Sequence, residues 1–276
     1  MHSTGYRKPS LKGVLAATAG LLALDAHASN WCPTSTDYQI TCSNCSRELT
    51  CDTYGISIEI LGNNVTLEGQ GYSIYNAPYN GITVSPSSGA ADATIKHLNI
   101  YDAGGTGIVF SGGVSSNWAY VEKVFVSGSA GDGIQNGSWS PLEIDSSWTY
   151  DNAYGVSGSY ASSTAYTDFL HSSSQGNSFG GYYSGSSAGS WIRNSYFWNN
   201  GSIGLDISYA QNLWVDNNGF SSSTGTGLSV TYGDGTSITN NSGNGNSNYD
   251  CIVTNSSGTS ASGNSWNSYS GSGCVY

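Results

Sequence analysis

Apolar residues along this chain come in short alternating runs rather than at helical spacing, and the runs repeat. The stretch Trp191–Ser208 holds one full cycle: Ile192, Asn194 two residues on, the aromatic Phe197, a turn at Asn199-Asn200-Gly201, then Gly204-Leu205-x-Ile207. The glycine–apolar pair recurs at Gly55-Ile56, Gly81-Ile82, Gly107-Ile108, Gly133-Ile134, Gly155-Val156, Gly180-Gly181, Gly204-Leu205 and Gly227-Leu228, with Cys251-Ile252 closing the series. A period in the twenties made of short strands predicts a solenoid, in which each unit buries its apolar face only against its neighbours.

A second column, Val65, Ile95, Val121, Ile144, Phe169, Ile192, Val215 and Ile238, reads as the inward residues of a second strand, since strand neighbours alternate faces. Two residues later stand His97, Lys123, Ser146, His171, Asn194, Asn217 and Asn240. Asparagines in such a column are expected to stack rung on rung as a buried amide ladder. The core is expected to weaken in its middle, where Asn136, Gly158 and Gly181 take inward positions. The first strand's outer face (Ser57, Thr83, Val109, Gln135, Ser157, Tyr182, Asp206, Ser229) carries no Thr-x-Thr array, which argues against an ice-binding surface.

The second strand's outer face carries the candidate chemistry. The register predicts Glu143 beside Asp168 and Glu122 beside Asp145 on adjacent coils. Carboxylates that close cannot both ionise cheaply, so one pKa rises. A protonated carboxyl beside an ionised one is what glycoside cleavage uses as acid and as base or nucleophile. Glu143, Asp168, Asp145 and Glu122 are therefore the catalytic candidates, and the same cluster has oxygens that suit Ca²⁺. Trp191 and Trp214 continue one column, with Tyr120 on its other side and Arg193 nearby. These are the candidate substrate-binding residues for a polysaccharide lying along the rod. The alternative is a solvated face with scattered charges, its aromatics covering apolar backbone. His97, Lys123 and His171 occupy turn positions, where hydrogen bonding explains the histidines.

Composition limits the partners. The net charge of −11 disfavours nucleic acid and anionic lipid. Arg7, Lys8 and Lys12, the apolar run 13–24 and Ala26-His27-Ala28 predict a secretory signal peptide over 1–28, whose apolar run is too short to span a bilayer. No later segment is long and apolar enough to insert in a membrane. Six cysteines follow: Cys32, Cys42, Cys45 and Cys51 near the start, Cys251 and Cys274 at the end. Clustering in a secreted chain predicts two local N-terminal bridges of open connectivity and a Cys251–Cys274 bridge one repeat apart. Cys42-x-x-Cys45 could instead be half a zinc site or a redox pair.

The motif I-x-N-x-x-F-x-N-N-x-x-x-G-L in Ile192–Leu205 resembles the repeat of right-handed parallel β-helix proteins of the pectate-lyase-like superfamily. Leu49–Cys51, Gly55-Ile56 and Asn64–Gly71 are similar to the first coil of secreted bacterial members. The resemblance implies an all-β, single-stranded right-handed parallel β-helix of about nine coils. It would comprise a cysteine-rich N-terminal cap over 29–54 and the helix proper over 55–276. No enzyme-specific signature matches: Asn-Thr-Asp, Gly-His-Gly, Arg-Ile-Lys and Asp-Pro-His are all absent. Two functions follow as expectations. One is a secreted protein that binds extracellular or cell-surface polysaccharide, cleaving it as a lyase or hydrolase if it is an enzyme. The other is a non-catalytic solenoid used for adhesion or assembly.

Overall fold

The computed structural model describes residues 29–275 apart from 37, 87–91, 113–116, 139, 159–166, 185–188 and 210. The expected signal peptide, 1–28, lies outside the described residues. Each coil contributes three short strands, as in Ala93–Lys96, Asn99–Tyr101 and Ile108–Phe110. Each strand pairs in parallel with its counterpart one coil on. Among the described residues this gives three parallel sheets around one core. Sheet 1 runs from Ser29–Trp31 to Ser260–Ser262, sheet 2 from Thr53–Tyr54 to Ser265–Trp266, and sheet 3 from Gln39–Ile40 to Tyr269–Ser270. The all-β parallel solenoid of the sequence reading is the observed fold.

Sheets 1 and 2 are joined by two residues, such as His97-Leu98. So tight a corner needs one residue in the left-handed region, and His97, Lys123, Ser146, His171, Asn194, Asn217 and Asn240 all take φ between 48 and 54°. Asparagine tolerates that conformation better than most residues. Their side chains therefore point outward, and the expectation of a buried column here is corrected. Stacking does occur, with Asn217 Nδ2 donating to Asn194 Oδ1 at 2.7 Å. The buried ladder lies one residue later: Asn218 Nδ2 donates to Asn241 Oδ1, and Asn241 Nδ2 to Asn264 Oδ1. A second buried ladder, Asn152–Asn177–Asn200, runs along the corner between sheets 2 and 3.

Three register details differ from the sequence reading. Leu67, not Val65, pairs with Ile95, although both are buried. On sheet 3 the outward neighbour of Thr83 is Glu59 rather than Ser57. Tyr182 is inward, 1% exposed, and pairs with Val156 and Leu205; Tyr183 takes the outward place. Gly181 is the cause. A Cβ there would meet the Gly204 carbonyl oxygen at 2.4 Å and Phe197 at 2.8 Å, so it holds the close-approach position and Tyr182 fills the core beside it. Gly181 thus leaves no gap in the inward column. Asn136, Gly158 and Ser184 do align between Phe110 and Ile207, so the interior becomes polar there.

All six cysteines are bridged: Cys32–Cys51, Cys42–Cys45 and Cys251–Cys274. The last bridge is as expected but its geometric reason is not. Cys251 pairs in register with Tyr269, because the final coil is short, and a 3-10 turn at Ser272–Cys274 folds Cys274 back to it. Both sulfurs end up fully buried, closing the end of a core whose last coil has few apolar side chains. No helix among the described residues is long and apolar enough to cross a membrane.

Candidate functional site

The outer face of sheet 1 is built by alternation: in Leu142–Asp145, Leu142 and Ile144 are buried while Glu143 and Asp145 point out. Parallel pairing stacks equivalent residues one strand spacing, about 4.8 Å, apart. Glu143 pairs with Tyr120 on one side and Asp168 on the other, and Glu122 pairs with Asp145. The expected carboxylate register is therefore present. Next along the first column come Trp191 and Trp214, their ring centroids 5.3 Å apart. Tyr120, Trp191 and Trp214 are each 39–40% exposed, enough for a ligand to touch them. Arg193 lies 5.1 Å over the Trp191 ring, its Nε 3.6 Å from Asp216.

The structure divides the four carboxylates into two kinds. Glu122 faces Lys123 Nζ at 2.9 Å, and Asp145 Oδ1 faces His171 Nδ1 at 2.8 Å. Among the described residues no cation lies within ion-pair distance of Glu143 or Asp168. Burial pushes the Asp168 carboxyl up to about 6, and the Glu143 charge adds to the shift while the Trp191 backbone N–H, donating at 2.8 Å, opposes it. Burial also raises Glu143, helped by the neighbouring Asp145 and Glu122 charges. A carboxyl that keeps its proton near pH 6 beside one that ionises more readily can act as acid and nucleophile. Among the described residues no three acidic, histidine or cysteine side chains converge as a metal site.

His171 is exposed, and its Nε2 lies 3.2 Å from Asn194 Nδ2. His97 contacts Glu68. Both histidines are thus engaged in the turn column.

Sequence reasoning missed a groove of about 420 Å³ on the outer face of sheet 3, lined by Val109, Asp132, Gln135, Tyr154, Ser157 and Tyr183 among others. Ser157 Oγ donates to Asp132 Oδ2 there, and the Tyr154 and Tyr183 rings meet at 5.5 Å. The one-residue slip at Gly180-Gly181 hid it, since that slip put Tyr182 where Tyr183 belongs.

A family match agrees on the fold. No curated protein matches the chain. Solved structures similar to it include full-length tailspike protein 2 of Escherichia coli O157:H7 bacteriophage CAB120, with TM-score 0.47 and 14% identity over 79% of this chain and 33% of that one. The Dettilon tailspike protein has TM-score 0.40 and 10% identity over 79% and 53%. Tailspike protein 3 of bacteriophage CBA120 has TM-score 0.26 and 14% identity over 79% and 52%. The chain thus spans a third to about half of the length of these proteins. The family described as "Right handed beta helix region" matches residues 80–266. The protein belongs to the right-handed beta helix region family.

Proposed function

We propose that this is a secreted polysaccharide-active protein that holds a glycan along the outer face of sheet 1 and hydrolyses it between Glu143 and Asp168. The observation that carries the reading is the in-register pair of carboxyls without a counter-cation, one of them raised to about 6. The pairing sets their Cα atoms one strand spacing, about 4.8 Å, apart, and closely spaced carboxyl groups suit a retaining mechanism. Asp168 gives its proton to the glycosidic oxygen as that C–O bond breaks and ionised Glu143 bonds to the sugar carbon. Asp168, now ionised, then takes a proton from the water that displaces Glu143 and releases the sugar. Tyr120, Trp191 and Trp214 bind the chain on either side. Hydrolysis is the reading preferred because, among the described residues, no cationic side chain lies within ion-pair distance of this pair to meet a uronate. The three bridges and the basic, apolar first segment support export to an oxidising compartment.

Reducing-end release from a panel of neutral and acidic polysaccharides tests the proposal. Wild type should release product, with the rate falling as pH rises through about 6, where Asp168 loses its proton. Asp168→Asn and Glu143→Gln should each lower the rate at least about 100-fold. Both should leave retention on the polysaccharide intact, while Trp214→Ala weakens it. Cleavage that survives Asp168→Asn, or retention indifferent to Trp214→Ala, would remove this face from consideration.

A further inference from the structure

Sheet 2 has an outer face of different character. Its outward strand residues from Tyr54 to Ser265 include no aspartate, glutamate, lysine, arginine or histidine, in a chain carrying 25 charged residues. In place of charge it carries aromatics in register. Trp148 and Tyr150 occupy one coil, Ser173 and Gln175 the next, and Tyr196 and Trp198 the one after. The four rings are 44–66% exposed, Tyr196 most of all.

Two glycines let tyrosines lie down on the sheet. A Cβ on Gly219 would meet the Tyr196 ring at 2.8 Å, and one on Gly176 the Tyr150 ring at 3.0 Å. Each ring thus lies against the neighbouring glycine, in space that a side chain there would fill, and stays largely exposed. The tyrosines nearer the start of the same sheet behave differently. Tyr54, Tyr75 and Tyr101 stack on one another at 4.9 and 5.1 Å with planes 11° apart, so they present edges outward. The platform is confined to the coils from Trp148 to Gly219.

We infer that this platform is a second binding site, which anchors the protein to a neutral polysaccharide surface. Sugar C–H faces pack on flat aromatic rings, and their hydroxyls find hydrogen-bonding partners in the polar rung of Ser173 and Gln175 between the aromatic coils. The aromatic coils lie two strand spacings apart, about 10 Å. That separation lets one extended β-linked chain touch both. A charge-free face matches an uncharged ligand, whereas a second copy of this chain would bring its own net charge of −11 toward the first. The site is independent of the carboxyl pair on sheet 1, and failure of cleavage leaves it standing.

The test is sedimentation with microcrystalline cellulose and with insoluble chitin, followed by analytical ultracentrifugation of the free protein. Wild type should bind at least one solid, and binding should persist in about 1 M salt, where charge interactions are screened beyond about 3 Å. Trp148→Ala/Trp198→Ala should bind at least about tenfold less while keeping the wild-type melting transition. Gly219→Ala, which dislodges only the Tyr196 ring, should weaken binding by a smaller factor. Tyr209→Ala/Tyr232→Ala, an exposed stacked pair away from sheets 1 and 2, should leave it unchanged. The inference is overturned if wild type binds neither solid, if the sheet 2 double variant binds as wild type does, or if wild type is a dimer that this double variant converts to monomer.

Discussion

The coils from Ile58 to Phe110 and those from Ile134 to Ile192 share one backbone plan and have different interiors. In the first group the inward side chains are Ile58, Ile60, Leu67, Ile74, Ile82, Val84, Ile95, Ile100, Ile108 and Phe110, all with no exposed surface. In the second, Asn136, Thr149, Thr167, Ser174 and Ser184 stand at equivalent places. They are joined by hydrogen bonds: Asn136 Nδ2 to Thr167 Oγ1, Thr149 Oγ1 to Ser174 Oγ, and Ser174 Oγ to the Gly181 carbonyl. An aliphatic stack contributes roughly 1.5–3 kcal/mol per buried side chain. A satisfied polar pair contributes about 1 kcal/mol net and is costly to break. The central coils therefore depend on geometry where the earlier ones depend on area. They also carry Glu143 and Asp168 on their outer face, so the more polar of these two interiors underlies the candidate site. Sites that depart from ideal packing are where function is commonly found.

The largest test of this contrast lies at its border. Phe110→Ala should cost about 3–5 kcal/mol, because the ring leaves a cavity among fully buried neighbours. Ser184→Ala, three coils further along the same inward column, should cost under about 1 kcal/mol. Chemical denaturation of both variants measures the difference, and equal costs would mean the two interiors are energetically alike.

Next in size is the amide ladder. Asn177 Oδ1 accepts from both the backbone N–H and Nδ2 of Asn152, and Asn177 Nδ2 donates to Asn200. Asn177→Ala strands these buried groups and should cost about 2 kcal/mol. Exposed Asn217→Ala should cost far less, about 0.5 kcal/mol. A comparable loss from both would show that burial of the ladder does not matter.

The contrast between the two asparagine columns also marks how far the sequence could be read. Periodicity of glycine–apolar pairs was enough for the fold and the parallel register of Glu143 with Asp168, whereas the C-terminal bridge forms through a 3-10 turn that the repeat did not foretell. It could not separate Asn217 from Asn218, because both recur every 23 residues and only the left-handed turn decides which points inward. Nor could it place Tyr182: of two adjacent glycines, the close approach to Gly204 selects the second. The site was legible as a row of residues. Its division was not, since from the turn column Lys123 folds back on its sequence neighbour Glu122 while His171 reaches Asp145 one coil away.

A smaller effect concerns pH. Asp168 has a folded pKa near 6 against an ordinary value of 3.8, so the folded state binds its proton more tightly than the unfolded state. Stability therefore declines as pH rises from about 4 to about 6, then levels. Asp168→Asn should remove most of the decline, leaving the part due to the raised Glu143, and stabilise the protein at pH 7 by about 1–2 kcal/mol, less than the full shift because the group is partly solvated. Melting temperatures of both proteins across that range read the effect, and parallel curves would deny it.

The central claim is that Glu143 and Asp168 form a coupled pair, and ¹³C carboxyl titration of the folded protein addresses it most directly. The expected result is an Asp168 midpoint near 6 that moves down when Glu143→Gln removes its neighbour's charge. An Asp168 midpoint near 3.8 in wild type, unchanged in the variant, would contradict the account.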